Sequence, residues 1–437
     1  MVSFEDIKKS ANYIKVGATE ELVDKILTED LLAKEKYKRI IEPWLSASLQ
    51  SEHLSLLLGA GLTIGVCQMA GVESSSMATA EFGDFTDKIN SHAQKSVARM
   101  HRGRVNIEDQ IRTALSLLEG YEIDENEETE ALNDAINEVL KGFWESILSS
   151  ERNLLSAMKS ESSEAVNKVE KAFSILQSFL FTFASRNATR ERTHIFTTNY
   201  DRIIEYGCDL AGIKIIDRFW GEILPRFQQS PSNIDYYYHS PDVKNEFRYA
   251  EGVVRYSKIH GSIDWFDEDG TVYRDALRFG AEKDALPSNR SFKEHLMIYP
   301  NSMKSIETAF YPYSELFRDY STAICRPNTT LFVYGYGFGD THINKIIKEM
   351  LSVPSTHIVI MAHSVDDRLI GFLRSINRAQ TTILAGEEFA SLENLVKYYL
   401  PKAAIDTITE TASKLVEARK GYADIERKDN EDDESAL

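Results

Sequence analysis

Four short clusters in this chain combine residue types that suit ligand chemistry. Glycine-rich turns let a backbone approach a phosphate, and an amide or carboxylate can bind a ribose hydroxyl, a carboxamide or a water. A histidine titrates near neutral pH, so it can take a proton from water or a hydroxyl. The clusters are Gly59-Ala60-Gly61 with Thr63, Asn199 with Asp201, His260, and the run at residues 335–340.

Each cluster stands at the end of a predicted strand. Apolar and β-branched runs predict strands at residues 54–58, 194–198, 252–259 and 329–334, with a further buried strand at 357–361. A helical run at 342–351 follows the last cluster. Strands that alternate with helices favour an α/β fold with a doubly wound parallel sheet. In such a sheet, ligands bind beyond the carboxyl ends of the strands, so the clusters are expected to share one site.

Taken singly, each cluster also has a purely structural interpretation. Gly59 and Gly61 also suit a tight strand–helix turn, since Ile64 stands where the full dinucleotide fingerprint wants a glycine. Asn199 and Asp201 suit helix capping, and His260 suits a histidine bonded to backbone. Only the convergence favours a functional site.

Several aromatic residues near these clusters leave two alternatives open. Trp220, Trp265 and the tyrosines at 236–238 are candidates for aromatic walls of a site or for ordinary core packing.

Composition excludes several classes of protein. The 437 residues carry a net charge of −18 with 43% hydrophobic content, which is too apolar for a disordered chain. This acidity argues against nonspecific DNA wrapping and against docking on anionic lipid. Cys67, Cys208 and Cys325 are too scattered for a four-thiolate zinc site, and the histidines show no ligand spacing, so no metal is expected. Walker and Gly-x-Ser-x-Gly motifs are absent from the sequence.

The chain divides into regions of different texture. Residues 1–50 read as an N-terminal helical segment, and 51–400 as the main domain with a helical insertion at about 85–185. Residues 115–140 hold nine acids and no lysine or arginine. Residues 401–437 read as a C-terminal helix and an acidic disordered tail from Arg427. We find no signal peptide and no membrane span in the sequence and expect a cytoplasmic protein in a reducing compartment.

Together the clusters resemble the sirtuin-like NAD-binding family. That family places a GAG turn, a T-x-N-x-D motif, a His-Gly motif and a glycine-rich nucleotide loop in this order. Here they read GAGLT at 59–63, TTNYD at 197–201, KIHGSIDW at 258–265 and YGYGFGDTHIN at 334–344. These motif sequences are similar to those of bacterial sirtuin-like proteins of antiphage defence. It lacks the G-I-P-D-F-R segment and the four-cysteine module of protein deacetylases.

The resemblance implies a Rossmann-like fold of sirtuin type that hydrolyses NAD+ to nicotinamide and ADP-ribose. Asn199 would position the nicotinamide ribose and the attacking water, and His260 would act as general base or orient that water. The cofactor-binding residues would be Gly59, Ala60, Gly61 and Thr63 at the pyrophosphate, Asp201 at the ribose or carboxamide, and Gly335, Tyr336, Gly337, Asp340 and His342 on the adenosine side.

The resemblance also implies regulation by assembly. Defence NADases of this kind work with a partner such as a HerA-like ATPase or an Argonaute-type protein, and a homo-oligomer is expected. We expect no direct sequence-specific nucleic acid binding and no membrane contact. Two other functions stay open: a noncatalytic module that binds NAD or ADP-ribose, and a protein deacylase or ADP-ribosyltransferase.

Overall fold

A nine-stranded sheet with helices on both faces is the main feature of the computed structural model. The described residues are 2–24, 30–75, 77–99, 105–187, 189–229, 235–238, 248–282, 295–297 and 311–402. The predicted C-terminal helix and the acidic tail from Arg427 lie outside them, apart from residues 401 and 402. No described helix has an apolar stretch of the length needed to cross a bilayer.

Strands and helices alternate over residues 329–390, whereas residues 60–184 and 214–297 are runs of one kind of element among the described residues. The strands are β1 (Asn12–Val16), β2 (Thr19–Val23), β3 (His53–Leu58), β4 (His194–Thr197), β5 (Lys214–Ile216), β6 (Phe219–Trp220), β7 (Arg226–Phe227), β8 (Tyr237–Tyr238), β9 (Arg248–Tyr249), β10 (Val253–Lys258), β11 (Gly261–Glu268), β12 (Thr271–Arg274), β13 (His295–Met297), β14 (Thr329–Tyr334), β15 (His357–Ala362) and β16 (Thr381–Ala385). The helices are α1 (Phe4–Lys9), α2 (Leu31–Leu49), α3 (Ala60–Ala70), α4 (Thr86–Arg99), α5 (Ile107–Ile123), α6 (Thr129–Met158), α7 (Ser163–Ala184), α8 (Ile203–Ala211), α9 (Tyr313–Ile324), α10 (Thr341–Met350), α11 (Asp367–Arg374), α12 (Glu387–Ala390) and α13 (Leu392–Asn394). Short 3-10 turns at Gly83–Phe85 and Arg378–Gln380 and a π-helical turn at Leu395–Tyr399 complete them.

Strand order in the large sheet confirms the predicted α/β architecture. The order is β2-β1-β16-β15-β14-β3-β4-β10-β5, and all pairs from β16 to β5 are parallel. The chain runs outward from β3 in one direction through β4 and β10, and in the other direction from β14 through β16. The strand order therefore reverses between β3 and β14, which is where doubly wound sheets bind ligands.

Burial on both faces explains why these strands are nearly continuous apolar runs. In β14, Phe332 and Tyr334 pack into the core on one face, with α2, α3 and α7. Leu331 and Val333 pack into the core on the other face, with α9, α10 and α11. A parallel strand covered by helices on both sides has no solvent-facing position for polar residues.

The N-terminal prediction is wrong in part. Within the stretch predicted as amphipathic helices, Asn12–Val16 and Thr19–Val23 instead form an antiparallel hairpin that joins the sheet edge at β16. Gly17, at φ 57°, makes the two-residue turn between them. The apolar spacing that suggested a helix also fits a strand, since pairing with β16 buries most of β1.

Most described residues between 86 and 184 lie in helices α4–α7, and the region has two parts. Helices α4–α6, hereafter the insertion, share a core of their own. Helix α7 instead packs in the core of the large sheet. All nine acids within residues 115–140 are exposed on the insertion.

A second, antiparallel sheet lies beside the first and was not predicted. Its order is β13-β11-β12-β7-β6, and its strand β11 begins directly after His260. Trp265 is a core residue here, with its ring 4.9 Å from that of Phe219, whereas Trp220 is exposed. Tyr237 stacks on Tyr249 at 5.3 Å in the short β8–β9 ladder, outside the cavity described below.

Candidate functional site

One cavity of about 490 Å³ lies at the carboxyl ends of β3, β4, β10 and β14. Its volume falls in the range of small-molecule and cofactor sites. All the predicted site residues except His342 line it. They are Gly59, Ala60, Gly61, Thr63, Asn199, Asp201, His260, Gly335, Tyr336, Gly337 and Asp340.

The two glycine turns touch each other at the strand-order reversal. A Cβ on Gly59 would lie 2.6 Å from the Gly335 carbonyl oxygen, and one on Gly61 would lie 2.6 Å from Gly335 Cα. The Gly61 amide donates to the Gly335 carbonyl oxygen at 2.9 Å. Gly335 has φ +65°, which disfavours other residues. Mutual packing of the turns thus requires glycine at these positions, whatever ligand the cavity holds.

Helix α3 begins at the first turn and points its N-terminus at the cavity. Gly59 is its N-cap and makes no side-chain capping bond. The first amides of a helix have no partner within the helix, and the helix dipole makes this end attractive to anions. The arrangement suits a phosphate group beside Ala60 and Gly61 that is attracted by the helix dipole, although the Gly61 amide itself already donates to Gly335.

Residues 198–202, hereafter the Asn199 loop, carry two polar side chains that share one partner. The Asn199 side-chain amide donates to Thr63 Oγ1 at 3.0 Å and to the Gly59 carbonyl oxygen at 3.2 Å. Thr63 Oγ1 donates to Asp201 Oδ2 at 2.7 Å, and the other Asp201 oxygen accepts from the Ile203 amide. Asp201 therefore accepts from the first amide of α8, whose N-cap is Arg202, and at the same time lines the cavity.

Asn199 keeps one polar atom unsatisfied. Asn199 is 5% exposed, and its Oδ1 has no hydrogen-bond partner among the described residues. A buried amide oxygen left unpaired costs free energy, so it marks a place where a ligand hydroxyl or a water is stabilising.

His260 faces Asp340 across the cavity floor. His260 Nε2 lies 3.0 Å from Asp340 Oδ2, and both side chains are 5% exposed. The second Asp340 oxygen accepts from the amides of His342 and Ile343, which makes Asp340 the N-cap of α10. A carboxylate beside Nε2 favours the tautomer with the proton on that nitrogen, leaving the lone pair on Nδ1. The resemblance assigns Asp340 to the adenosine side, which stays a prediction, while in the structure its Oδ2 lies beside His260.

A match to a known family supports this arrangement. Residues 193–379 match the SIR2-like domain. The match supports a sirtuin-like family and NAD-related activity, because the SIR2 family uses NAD+. A search of the curated proteins finds no match to this chain.

The SIR2-like match covers less than half of the chain. It includes Asn199, His260 and Asp340, whereas the turn at Gly59 and the insertion precede it. In the structure residues of these earlier segments line the same cavity as the matched residues.

His342 is the one predicted residue that the cavity does not include. It is half-buried in the first turn of α10, with its amide on Asp340. The loop before it is held by Tyr336, whose hydroxyl donates to the Asp340 carbonyl oxygen and to Asn344 Oδ1, both at 3.2 Å. A contact from His342 to the adenosine side stays a prediction.

Other lining residues of the SIR2-like site were missed by sequence reasoning. Arg368 in α11 is the only lysine or arginine among the described residues that line the cavity. Its guanidinium lies about 3.7 Å from the Cβ position of Gly337 and pairs with Asp366 at 2.9 Å. The insertion and the segment before it close another wall. Those residues are Ser75, Met77, Asn106, Glu108 and Ile147.

The cysteines are placed for packing. Burial raises the pKa of Cys67 to about 12, and the charge of Asp201 adds to this rise. Burial likewise raises the pKa of Cys208 to about 12. Both thiols stay protonated at neutral pH and are poor nucleophiles. Among the described residues, no three His, Cys, Asp or Glu side chains are grouped to hold a metal ion.

A second cavity of about 340 Å³ lies beside α8, β10 and β11. Arg202 and Lys258 line it, and both are already paired, with Glu151 at 2.7 Å and Glu205 at 2.9 Å. None of the predicted site residues lines it. The larger cavity is therefore the candidate active site.

Proposed function

We propose that this protein is an NAD+ hydrolase that releases nicotinamide and ADP-ribose. The observation that carries the proposal is the unpaired Oδ1 of buried Asn199 in the same cavity as the His260–Asp340 pair and the N-terminus of α3. An anion-binding helix end, a hydroxyl acceptor and an oriented base are what cleavage of a nicotinamide dinucleotide needs.

Substrate binding begins at the glycine turns. The pyrophosphate lies beside Ala60 and Gly61, where the Ala60 amide and the dipole of α3 stabilise its charge. Among the described lining residues, Arg368 supplies the one cationic side chain, at the other side of the cavity. Asn199 Oδ1 accepts a hydrogen bond from a hydroxyl of the nicotinamide ribose, which satisfies the unpaired atom.

In the chemical step, the bond between ribose C1′ and the nicotinamide nitrogen breaks, and its electron pair leaves with nicotinamide. A water oxygen bonds to C1′ and passes its proton to His260, which releases it to solvent. Asp340 holds the imidazole in place and stabilises it as it becomes charged. The sum is NAD+ and water giving nicotinamide, ADP-ribose and a proton.

The test is turnover of NAD+ by the full chain, alone and with the product of the adjacent gene. Asn199→Ala and His260→Ala should each abolish nicotinamide release, while His92→Ala, an exposed histidine on α4, should leave it unchanged. Wild-type turnover that survives both substitutions would remove this mechanism.

Two other activities give distinct outcomes in this assay. Tight NAD binding without turnover under every condition would indicate a noncatalytic module. NAD consumption that depends on an acylated or acceptor protein would indicate a deacylase or an ADP-ribosyltransferase.

We further propose that the activity serves antiphage defence by NAD depletion, in a homo-oligomer or with a HerA-like or other partner. The nine exposed acids of residues 115–140 support a partner with a basic surface. Neutralising them should weaken assembly, and unchanged assembly would contradict this role.

A further inference from the structure

Two buried carboxylates of the insertion accept hydrogen bonds from different residues of the Asn199 loop. Glu108, in the first turn of α5, accepts a hydrogen bond from the Tyr200 hydroxyl at 2.9 Å. Glu151, in α6, accepts from the Arg202 amide at 3.0 Å and from its guanidinium Nη2 at 2.7 Å. Both carboxylates are buried, Glu151 completely.

A third contact ties the insertion to the segment that carries His260. The Trp144 indole of α6 donates to the Ile263 carbonyl oxygen at 3.0 Å. The Ile263 amide in turn donates to the Tyr200 carbonyl oxygen at 3.2 Å. Both segments that hold the proposed catalytic side chains are thus bonded to each other and to α6.

These contacts meet the loop at the neighbours of its functional residues. Tyr200 lies between Asn199 and Asp201, and Arg202 follows Asp201. Buried carboxylates are costly unless they are hydrogen-bonded, and displacing the loop would take the Tyr200 hydroxyl from Glu108 and the Arg202 donors from Glu151. Misplacement of a catalytic group by about 1 Å can cost on the order of 100-fold in rate, so these hydrogen bonds matter for catalysis as well as for folding.

We infer that the insertion is a positioning device for the active site, with Tyr200, Glu108 and Glu151 as positioning residues that set where Asn199 stands. This inference rests on the proposed function for its kinetic readout. It makes the orientation of α5 and α6 a determinant of kcat, so that whatever shifts these helices changes turnover.

Tyr200→Phe is the central test, because it removes the hydroxyl and keeps the ring that packs edge-on against Phe143 at 5.9 Å. We expect kcat to fall about tenfold, with the KM for NAD+ within about threefold and the thermal midpoint nearly unchanged. Amide hydrogen exchange of residues 198–202 should become faster. The matched control is Tyr121→Phe, whose hydroxyl lies 3.2 Å from Glu128 in an exposed pair of the same insertion.

Glu108 gives a rescue test that separates position from stability. Glu108→Gln keeps an oxygen that accepts from Tyr200 and should recover most of the kcat that Glu108→Ala loses. A Tyr200→Phe protein that matches the Tyr121→Phe control in both kcat and exchange would overturn the inference. If the wild-type chain never turns over NAD+, the proposed function fails, and unchanged exchange of the loop in Tyr200→Phe would still refute the positioning role.

Discussion

Asp340 links two tasks that one substitution can separate. One of its oxygens caps α10, and the other lies 3.0 Å from His260 Nε2. Asparagine is as good an N-cap as aspartate, whereas alanine at an N-cap costs about 0.5–2 kcal/mol. Asp340→Asn should therefore keep α10 folded and change only the partner of His260, while Asp340→Ala should lose both functions.

The size of the catalytic effect follows from the burial of the pair. A hydrogen bond to a charged group is worth about 1.5–3 kcal/mol, and both side chains here are almost inaccessible to water. The amide that replaces the carboxylate is neutral and can present a donor to Nε2, which favours the wrong tautomer. Loss of the charged contact in the transition state corresponds to a fall in kcat of about 10- to 150-fold.

The assay is steady-state release of nicotinamide, with NAD affinity and thermal unfolding measured on the same samples. Asp340→Asn should lower kcat, with NAD affinity and the unfolding midpoint close to wild type. Asp30→Asn is the matched control, because Asp30 caps α2 by accepting from Ala33 at 3.0 Å away from the cavity. A kcat for Asp340→Asn within twofold of wild type would show that Asp340 only caps its helix.

Three further predictions concern binding, packing and thiol chemistry. Arg368→Gln should raise the KM for NAD+ about two- to fivefold with kcat little changed. The effect on KM should shrink in high salt because the Arg368 side chain is 45% exposed. An unaltered KM would place the substrate away from Arg368. Gly335→Ala should lower the free energy of unfolding in urea by about 2 kcal/mol or more, since its Cβ would lie 2.7 Å from the Leu62 amide nitrogen at φ +65°. Gly252→Ala, at φ +68° with nothing within 4 Å, should cost only about 1 kcal/mol, and equal losses would contradict the close packing of the turns. At pH 8 the pKa of about 12 leaves roughly 10⁻⁴ of Cys67 as thiolate, so iodoacetamide should label half-buried Cys325 first and Cys67 only after unfolding; equal rates in the native state would refute this.

The parts of the site that sequence reasoning found are those with a local signature. Asn199, His260 and the glycine turns each follow a strand whose residues are mostly buried, and parallel strands bring their carboxyl ends to one edge. Their meeting in one cavity is therefore predictable from the order of strands and turns. The pairing of His260 with Asp340 is not predictable from the sequence, because the two residues are 80 positions apart. Asp201, which also follows a predicted strand, was an equally good candidate partner.

The parts that were missed have weak or misleading local signals. The hairpin Asn12–Val16 and Thr19–Val23 carries apolar residues at spacings that fit a helix as well as a strand, and only pairing with β16 decides between them. Strands of the second sheet such as Phe219–Trp220 are too short to show a period of two. Arg368 had no signal beyond its place shortly after β15.

The acidic residues of the insertion are of two kinds, which differ in where they lie on its helices. The nine acids of residues 115–140 lie on the exposed surface of α5, α6 and the turn between them, whereas Glu108 and Glu151 of the same two helices are buried against the Asn199 loop. An α-helix rises 1.5 Å per residue, so Glu108 and Glu122 stand about 20 Å apart along the rigid rod of α5. A basic partner that docked on the acidic surface would therefore contact the same helices that we infer set the position of Asn199. We expect assembly at a surface of α5 and α6, and we expect the same two helices to position the catalytic loop. A partner that shifts these helices on binding would therefore change the position of the catalytic residues.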